Sequence, residues 1–447
     1  MSDNITLVLL GWIILAFAIA RHQRGPGSAG TGLVLAYVLN FFLLFWIPGA
    51  LYMIPWYQGA LREPTVLGTV QSFWGIAGFA AGSLLIAPAI LKTGILPEGK
   101  TFHRADLRLP VAYLLAGCIS YAALAVFWGR LPSLNSILSA GEELVIVGLS
   151  LCCWQAWRNG GTRRAIPWVA ASFCFPIVTV VLGGYIGYGA VASLTVLIFF
   201  SNFVRSRAKV LVVGVLLGYF ALSVYVTYMR DRSEIRKSVW GGQALSDRIG
   251  RVVDTASRFE WLDLNNDEHL SRLDERLNQS SLTGYAVIRM TDSDQFAHGE
   301  TFWDAFLALV PRIFWPDKPF TAGSGNLVAR FTGLRFDKST SVGIGQLMEF
   351  YVNFGTPGVL FGFAAFGVII TILDVLATDR LAKADLRGFV LFYLPGIAFL
   401  QVGGQLAEIT ASAAASLVVA FVVNRLVDRL QQTQAQSPVQ VAVAQSR

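Results

Sequence analysis

Residues 209–229 read KVLVVGVLLGYFALSVYVTYM and carry one charged side chain, that of Lys209 at the first position. About 20 consecutive apolar residues are enough for a helix to cross the hydrocarbon core of a bilayer. Ten further apolar runs can be marked, at 4–20, 32–55, 66–91, 111–128, 142–157, 166–183, 186–204, 356–377, 388–402 and 407–424. The sequence therefore predicts an all-α polytopic membrane protein with about eleven transmembrane helices.

The composition of the whole chain agrees with this class. Of its 447 residues, 54% are hydrophobic and 14% are charged, and the mean hydropathy is +0.56. Soluble globular proteins have roughly 25% charged residues, and disordered chains combine low hydrophobicity with high charge, so both classes are excluded. The four cysteines all lie in apolar runs, where cysteine behaves as a small buried hydrophobe, which argues against a disulfide-stapled module.

The distribution of positive charge predicts the orientation. No Lys or Arg precedes the first apolar run, and Arg21 and Arg24 follow it, which is typical of a retained helix with its N-terminus outside. With eleven spans, the inner connections hold 18 of the 35 basic residues and the short outer connections hold two. The net charge of +7 therefore reflects membrane topology, and no nucleic-acid partner is predicted.

The spans divide the chain into four parts. Residues 1–229 form a bundle of eight spans, 230–355 a large extracytoplasmic segment, 356–424 three further spans, and 425–447 a disordered cytoplasmic tail. The extracytoplasmic segment lies between the eighth and ninth spans and holds 17 acidic and 15 basic residues. Structureless loops of this length are uncommon, so we expect a folded cap whose short helices reach the membrane surface.

Two acidic motifs in the cap resemble metal sites. Residues 263–274 place oxygen-bearing side chains like a calcium-binding EF-hand loop, but Glu268 occupies the position that requires glycine. A solvated turn that enters a charged helix at Asp267 to Leu277 is the favoured interpretation. The pair Asp292 and Asp294 has the spacing of a diphosphate–metal motif, which is common in acidic loops. No metal site is predicted.

A block of prolines, cations and aromatic rings is the stronger candidate. Residues 310–319 read VPRIFWPDKP, and three prolines restrict the backbone around Arg312 and Lys318. Cations held among aromatic rings at a membrane boundary are suited to a lipid phosphate or a sugar face. The same region also contains Arg289, Glu300, Trp303 and Trp315.

The second strong candidate is the apolar stretch 346–355, QLMEFYVNFG. At 3.6 residues per turn, Gln346, Glu349 and Asn353 share one helix face. A lone carboxylate in so apolar a helix is a functional-site hypothesis, whereas an ion pair with Arg312 or Arg330 is the structural alternative. A further polar stripe, expected at the outer mouth of a cavity, consists of Gln401, Gln405 and Glu408.

The block at 310–319, followed by 341–355 (SVGIGQLMEFYVNFG), resembles the Wzy-type oligosaccharide repeat-unit polymerases, which make O-antigen and exopolysaccharide in bacterial envelopes. These proteins have ten to fourteen spans and one large periplasmic loop late in the chain. The motif-level resemblance covers residues 285–360, and hydropathy alone carries the rest.

The resemblance implies a fold related to the GT-C glycosyltransferases and a place in the bacterial inner membrane with a periplasmic active face. The implied reaction transfers a growing glycan from polyprenyl diphosphate to the terminal sugar hydroxyl of a new lipid-linked repeat unit. It needs no cofactor, nucleotide or obligatory metal. The implied partners are the lipid-linked oligosaccharide, the bilayer, and a chain-length regulator and flippase of the same pathway.

The resemblance also assigns roles to the candidate residues. The predicted catalytic residues are Glu349, as the base or as the residue that orients the acceptor, and Arg312, with Glu300 or His298 as substitutes for Glu349. The residues predicted to hold the diphosphate are Arg289, Arg312, Lys318 and Arg330. The residues predicted to contact the sugars or to complete the substrate site are Trp303, Trp315, Tyr351, Gln346, Asn353 and Glu408. A ligase-like transferase that uses another acceptor and a polysaccharide or lipid transporter stay open as alternatives.

Overall fold

The computed structural model describes residues 2–23, 30–94, 99, 101–102, 106–127, 132–293, 295–310, 315, 323–336 and 342–445. All regular elements in these ranges are helices. Seven helical segments are long and apolar enough to cross a membrane, and three shorter apolar helices accompany them. The predicted class, an α-helical membrane protein, is confirmed at this level, whereas the number of eleven spans stays a prediction.

Nineteen α-helices are described. Those of the first half are α1 Ser2–Gln23, α2 Leu33–Phe41, α3 Ile47–Leu51, α4 Arg62–Ala81, α5 Ala87–Lys92, α6 Leu109–Phe127, α7 Pro132–Glu142, α8 Leu144–Ala171, α9 Cys174–Gly183 and α10 Gly187–Ser201. Those of the second half are α11 Arg207–Trp240, α12 Leu245–Ser257, α13 Asp267–Leu277, α14 Gln279–Ser293, α15 Glu300–Ala308, α16 Ser324–Thr332, α17 Gly345–Ala382, α18 Leu386–Ala398 and α19 Leu406–Gln445. Short π-helical turns join α2 to α3 and α4 to α5.

Helix α17 forms the centre of the bundle and contacts α2, α4, α14, α18 and α19. It is broken at Phe354 and Gly355, where Gly355 has φ +64 and ψ −152, a conformation open to glycine and strained for other residues. The part from Gly345 to Asn353 is therefore a separate helical piece. The break coincides with the predicted boundary between the outer segment and the ninth span.

The outer segment packs against the bundle through α14. This helix packs along α4 and α17, and its residues Ala286 and Met290 are buried. A Cβ atom on Gly284 would overlap the carbonyl oxygen of Pro64, and one on Gly68 would overlap that of Ser280. Glycines at these positions therefore let the two backbones approach directly.

The turn before α13 has the predicted structure. The side chain of Asn266 accepts from the amides of Glu268 and His269, so it caps the N-terminus of a helix with the predicted bounds, Asp267–Leu277. The Asp263 carboxylate accepts from the amide of Asn265 at 2.9 Å. Both interactions are those of a helix entry.

Polar contacts fix α13 against its neighbours. Asp274 is buried and accepts hydrogen bonds from the hydroxyls of Tyr52 at 2.6 Å and Tyr57 at 2.9 Å. Burial, and then the Asp274 carboxylate, raise the pKa of Tyr52 above the ordinary tyrosine value. Nearby, Glu260 accepts from arginines of α11 and α13; these bonds outweigh its burial and lower its pKa.

Two parts of the chain differ from the sequence-based division. Helix α7 begins at Pro132, ten residues before the predicted run at 142, because its Ser, Asn and Gly residues dilute the apolar pattern without preventing a helix. Helix α19 continues to Gln445, where a disordered tail from 425 is predicted. Gln and Ala favour a helix, and here they extend one that starts in the bundle.

Candidate functional site

The predicted polar stripe on α17 is present and fully buried. Gln346, Glu349 and Asn353 are each 0% exposed. The apolar residues between them are buried too, because the helical piece is surrounded by other elements of the bundle. Buried polar groups are costly unless they are hydrogen-bonded, so the partners of this stripe decide its role.

The Glu349 carboxylate touches the beginning of α19. Its Oε2 accepts from the amide of Leu406, the first residue of that helix, at 2.7 Å. Helix N-termini leave their first amides without partners, so the carboxylate satisfies one of them. Its Oε1 is buried and accepts no hydrogen bond within the described ranges. The Thr301 hydroxyl, which accepts from the Asn353 amide group, lies near the same carboxylate.

The other two members of the stripe have internal partners. The Gln346 side chain accepts from the Tyr37 hydroxyl and donates to the carbonyl of Gln401 at 3.1 Å. The Asn353 amide group donates to the Thr301 hydroxyl at 2.7 Å. Their buried and bonded side chains hold neighbouring elements in place, and their predicted contact with substrate stays a prediction.

A short segment, 295–299, joins this buried stripe to the surface. The amide of Ala297 donates to the carbonyl of Val352 at 2.8 Å, and the amide of Gly299 donates to Asn353 Oδ1 at 2.9 Å. His298 and Gly299 both have positive φ, at 47° and 95°. The segment therefore turns sharply over α17 and leads directly into α15 at Glu300.

The outer side of this segment borders a groove between α14 and α16, which we call the cation groove. It consists of two openings of about 420 and 330 Å³ that share Arg289 and Gln295. The remaining residues that line it are Tyr285, Ile288, Met290, Asp292, Phe296, His298, Arg330, Phe331 and Thr332. The structure thus brings together Arg289, Arg330 and His298, which are 9 to 41 residues apart in the chain.

Arg330 has a carboxylate partner at the edge of the groove. Its two Nη atoms each donate to one oxygen of Glu300 at 2.8 Å, and both side chains are 51% exposed. The hydrogen bonds from Arg330 lower the pKa of Glu300, although partial burial acts in the opposite direction. The possible pairing of Arg330 with Glu349 is therefore wrong, and Glu300 is a poor candidate base because its proton affinity is reduced.

The aromatic candidates lie in different environments. Trp303 is 61% exposed on α15 and stacks on Phe306, with ring centroids 5.5 Å apart. Trp315 is also exposed. Tyr351 is buried, so its predicted contact with a sugar would require this part of the structure to open and stays a prediction.

Of the remaining predicted residues, the structure describes Glu408 but not Arg312, Lys318 or Asp294. Glu408 is exposed on the first turn of α19. Arg312, Lys318 and Asp294 lie outside the described residues, so their predicted roles stay predictions. Within the described ranges, no group of three His, Cys, Asp or Glu side chains lies close enough together to hold a metal ion.

Some residues of the site were not predicted from the sequence. Gln295 and Thr332 line the groove, and Thr301 bonds to Asn353. Isolated polar residues in an outer segment are common, so no local pattern marks them.

Outside this site, the sequence analysis also does not single out Glu142 and Glu143, because they stand at the edge of a predicted apolar run.

Comparison with known proteins places most of the chain in one family. A family model described as a domain of unknown function (DUF8712) matches residues 82–429. The match spans the groove, the buried stripe and the last three predicted spans. No curated protein and no solved structure matches the chain.

Proposed function

The chain belongs to the DUF8712 family, and we propose that it polymerises polyprenyl-diphosphate-linked oligosaccharide repeat units at the outer face of a bacterial inner membrane. The proposal makes it a metal-independent glycosyltransferase, with a fold related to the GT-C enzymes. Lipid-linked oligosaccharide is both the donor and the acceptor.

The cation groove is the observation that supports this proposal best. The volume of each of its two openings is in the range of small-molecule sites. Arg289 of α14 and Arg330 of α16 line the groove from two different helices. Guanidinium groups suit a diphosphate because their donors form a planar fork that matches phosphate oxygens. Arg330 has five N–H donors, so its bidentate bond to Glu300 leaves others for a ligand.

Glu349 supplies the second requirement, a base for the attacking hydroxyl. Its Oε1 accepts no hydrogen bond from the described residues, and the 295–299 segment, which lines the groove, is bonded to Asn353 one turn further along α17. A sugar hydroxyl would reach this oxygen only if that segment moved. Access of the acceptor is therefore expected to depend on the turn at His298 and Gly299.

The proposed reaction forms one glycosidic bond and breaks another. The terminal sugar hydroxyl of the acceptor bonds to the anomeric carbon of the donor glycan, and its proton passes to Glu349. The bond between that carbon and the diphosphate oxygen breaks, and the electron pair leaves with the lipid diphosphate. Arg289 and Arg330 would stabilise the charge on this leaving group, together with the predicted contacts of Arg312 and Lys318.

A reconstitution experiment tests the groove. Purified protein in vesicles is given lipid-linked repeat units from the strain that carries the gene, and glycan length is read on a gel. A charge-assisted hydrogen bond contributes about 1.5–3 kcal/mol. If both arginines act on the transition state, Arg289→Ala and Arg330→Ala should each lose about 10- to 100-fold in rate, since ~1.4 kcal/mol is tenfold.

Arg251→Ala is the matched control, because Arg251 is an exposed cation of the same outer segment and pairs with Glu234 on α11. It should extend chains at the wild-type rate. Wild-type extension by both groove variants would contradict the proposal. Transfer only to an acceptor that is not lipid-linked would favour the ligase-like alternative, and movement of the lipid without bond formation would favour a transporter.

A further inference from the structure

Two adjacent carboxylates lie in the interior of the helical bundle. Glu142 ends α7, Glu143 forms the single turn residue, and Leu144 begins α8. The antiparallel helix α6 fixes their depth: a Cβ atom on Gly141 would contact Ser120, and one on Gly117 would contact the backbone at Val145. Glu142 and Glu143 therefore lie opposite the middle of α6, an apolar helix of nineteen residues.

No described cation compensates these carboxylates. Neither Glu142 nor Glu143 forms an ion pair within the described ranges, and both are partly buried. Glu142 acts electrostatically on Glu143, on Tyr121 of α6 and on Tyr188 of α10, and Glu408 of α19 acts on Tyr188. Burying an ionised group at such depth costs desolvation free energy, and two adjacent like charges add electrostatic repulsion.

A buried hydroxyl provides a second, independent observation. Ser416 of α19 is 0% exposed and faces the Glu143 carboxyl. Among the residues that the structure describes, neither the Ser416 hydroxyl nor Glu143 Oε2 completes a hydrogen bond. A carboxylic acid O–H could donate to this hydroxyl.

We propose that Glu142 and Glu143 form an intramembrane proton-binding site, in which Glu143 takes up one proton and faces Ser416 as a neutral acid. The proton comes from a hydronium ion, whose O–H bond breaks and leaves water as the carboxyl O–H bond forms. Tyr188, which is 67% exposed, lies within electrostatic reach of Glu142 and of the exposed Glu408. The site lies apart from the cation groove and does not depend on the proposed glycosyl transfer.

A hydrophobic carbodiimide tests the site, because it adds to protonated carboxyl groups that it reaches from the bilayer. The full-length protein in vesicles is treated between about pH 5 and pH 9, which brackets the change from acid to carboxylate in a buried group. The adduct is located by peptide mass spectrometry. We expect labelling of Glu143 that falls about tenfold or more as the pH rises through the transition.

Controls distinguish a proton site from nonspecific labelling and from a site for a metal cation. Glu63 is exposed at the first turn of α4 and should stay almost unlabelled, because the reagent reaches carboxyl groups from the bilayer. Glu143→Gln should lose the adduct, while the wild-type measurement stands by itself if this variant does not fold. Absence of a Glu143 adduct over the whole range would overturn the proposal. Protection of Glu143 by Na⁺ or K⁺ at fixed pH, compared with choline, would overturn it in favour of a metal-cation site.

Discussion

Replacing Glu349 by alanine and, separately, by glutamine distinguishes its structural contribution from its proposed chemical one. Alanine removes the acceptor for the Leu406 amide, which is 2.7 Å from Glu349 Oε2 and belongs to a buried residue. An unsatisfied buried donor costs about 1–3 kcal/mol. The one methylene lost, that of Cγ, adds about 0.8 kcal/mol.

One effect acts in the opposite direction. Alanine also removes Oε1, which is buried without a hydrogen-bond partner, and this relieves about 1–3 kcal/mol. The net loss in the free energy of unfolding for Glu349→Ala is then about 1 kcal/mol. Glutamine keeps an acceptor for Leu406 and places a donor near the Thr301 hydroxyl, so its free energy of unfolding should stay closer to wild type than that of Glu349→Ala.

Equilibrium unfolding in mixed detergent–SDS micelles, followed by helical circular dichroism, measures both changes. Glu63→Ala, an exposed glutamate in the first turn of α4, is the control for loss of a carboxylate. Glu349→Gln should unfold close to wild type and yet lose chain extension. Equal destabilisation by glutamine and alanine would refute the assigned bond to Leu406, and wild-type extension by Glu349→Gln would refute its role as base.

Three further predictions concern contacts around this site and in the bundle. The pKa of Glu300 is lowered by Arg330, so the pair stabilises the fold above the unfolded value of about 4.3 and this contribution is lost as the pH falls through the folded value. Because both side chains are half exposed, Glu300→Gln should change the pH dependence of unfolding by less than about 1 kcal/mol, and a larger change would contradict the exposed geometry. Gly284→Leu should separate α14 from α4, since even a Cβ overlaps the Pro64 carbonyl; an unchanged unfolding curve would contradict that contact. Asp374→Ala should destabilise by about 3 kcal/mol or more, because three buried amides at the start of α2 lose their acceptor, and a neutral result in SDS unfolding would rule out this cap.

Features that depend on neighbouring residues in the chain could be predicted from the sequence. The bounds of the helix at Asp267–Leu277 follow from a capping residue and a charged amphipathic pattern. The stripe of Gln346, Glu349 and Asn353 follows from helical periodicity alone. The break at Gly355 was predictable as a boundary because glycine precedes a threonine–proline pair at the start of an apolar run.

Features that depend on distant residues could not be predicted in the same way. The pairing of Arg330 with Glu300, and not with Glu349, results from the arrangement of α15 and α16. Hydropathy also misplaced the start of α7, since it weighs each residue without its environment. Consequently Glu142 and Glu143 were placed at a membrane edge, whereas α6 packs alongside them.

The measurement that tests the central claim most directly is the stoichiometry of the reconstituted reaction. Purified wild-type protein in vesicles containing EDTA is supplied with lipid-linked repeat units as the only substrate, and glycosidic bonds and free lipid diphosphate are counted over time. We predict a ladder of longer glycans with one lipid diphosphate released for each bond formed, and neither product with Glu349→Gln. Lipid diphosphate release without longer glycans, or no reaction of the folded wild-type protein, would contradict the account.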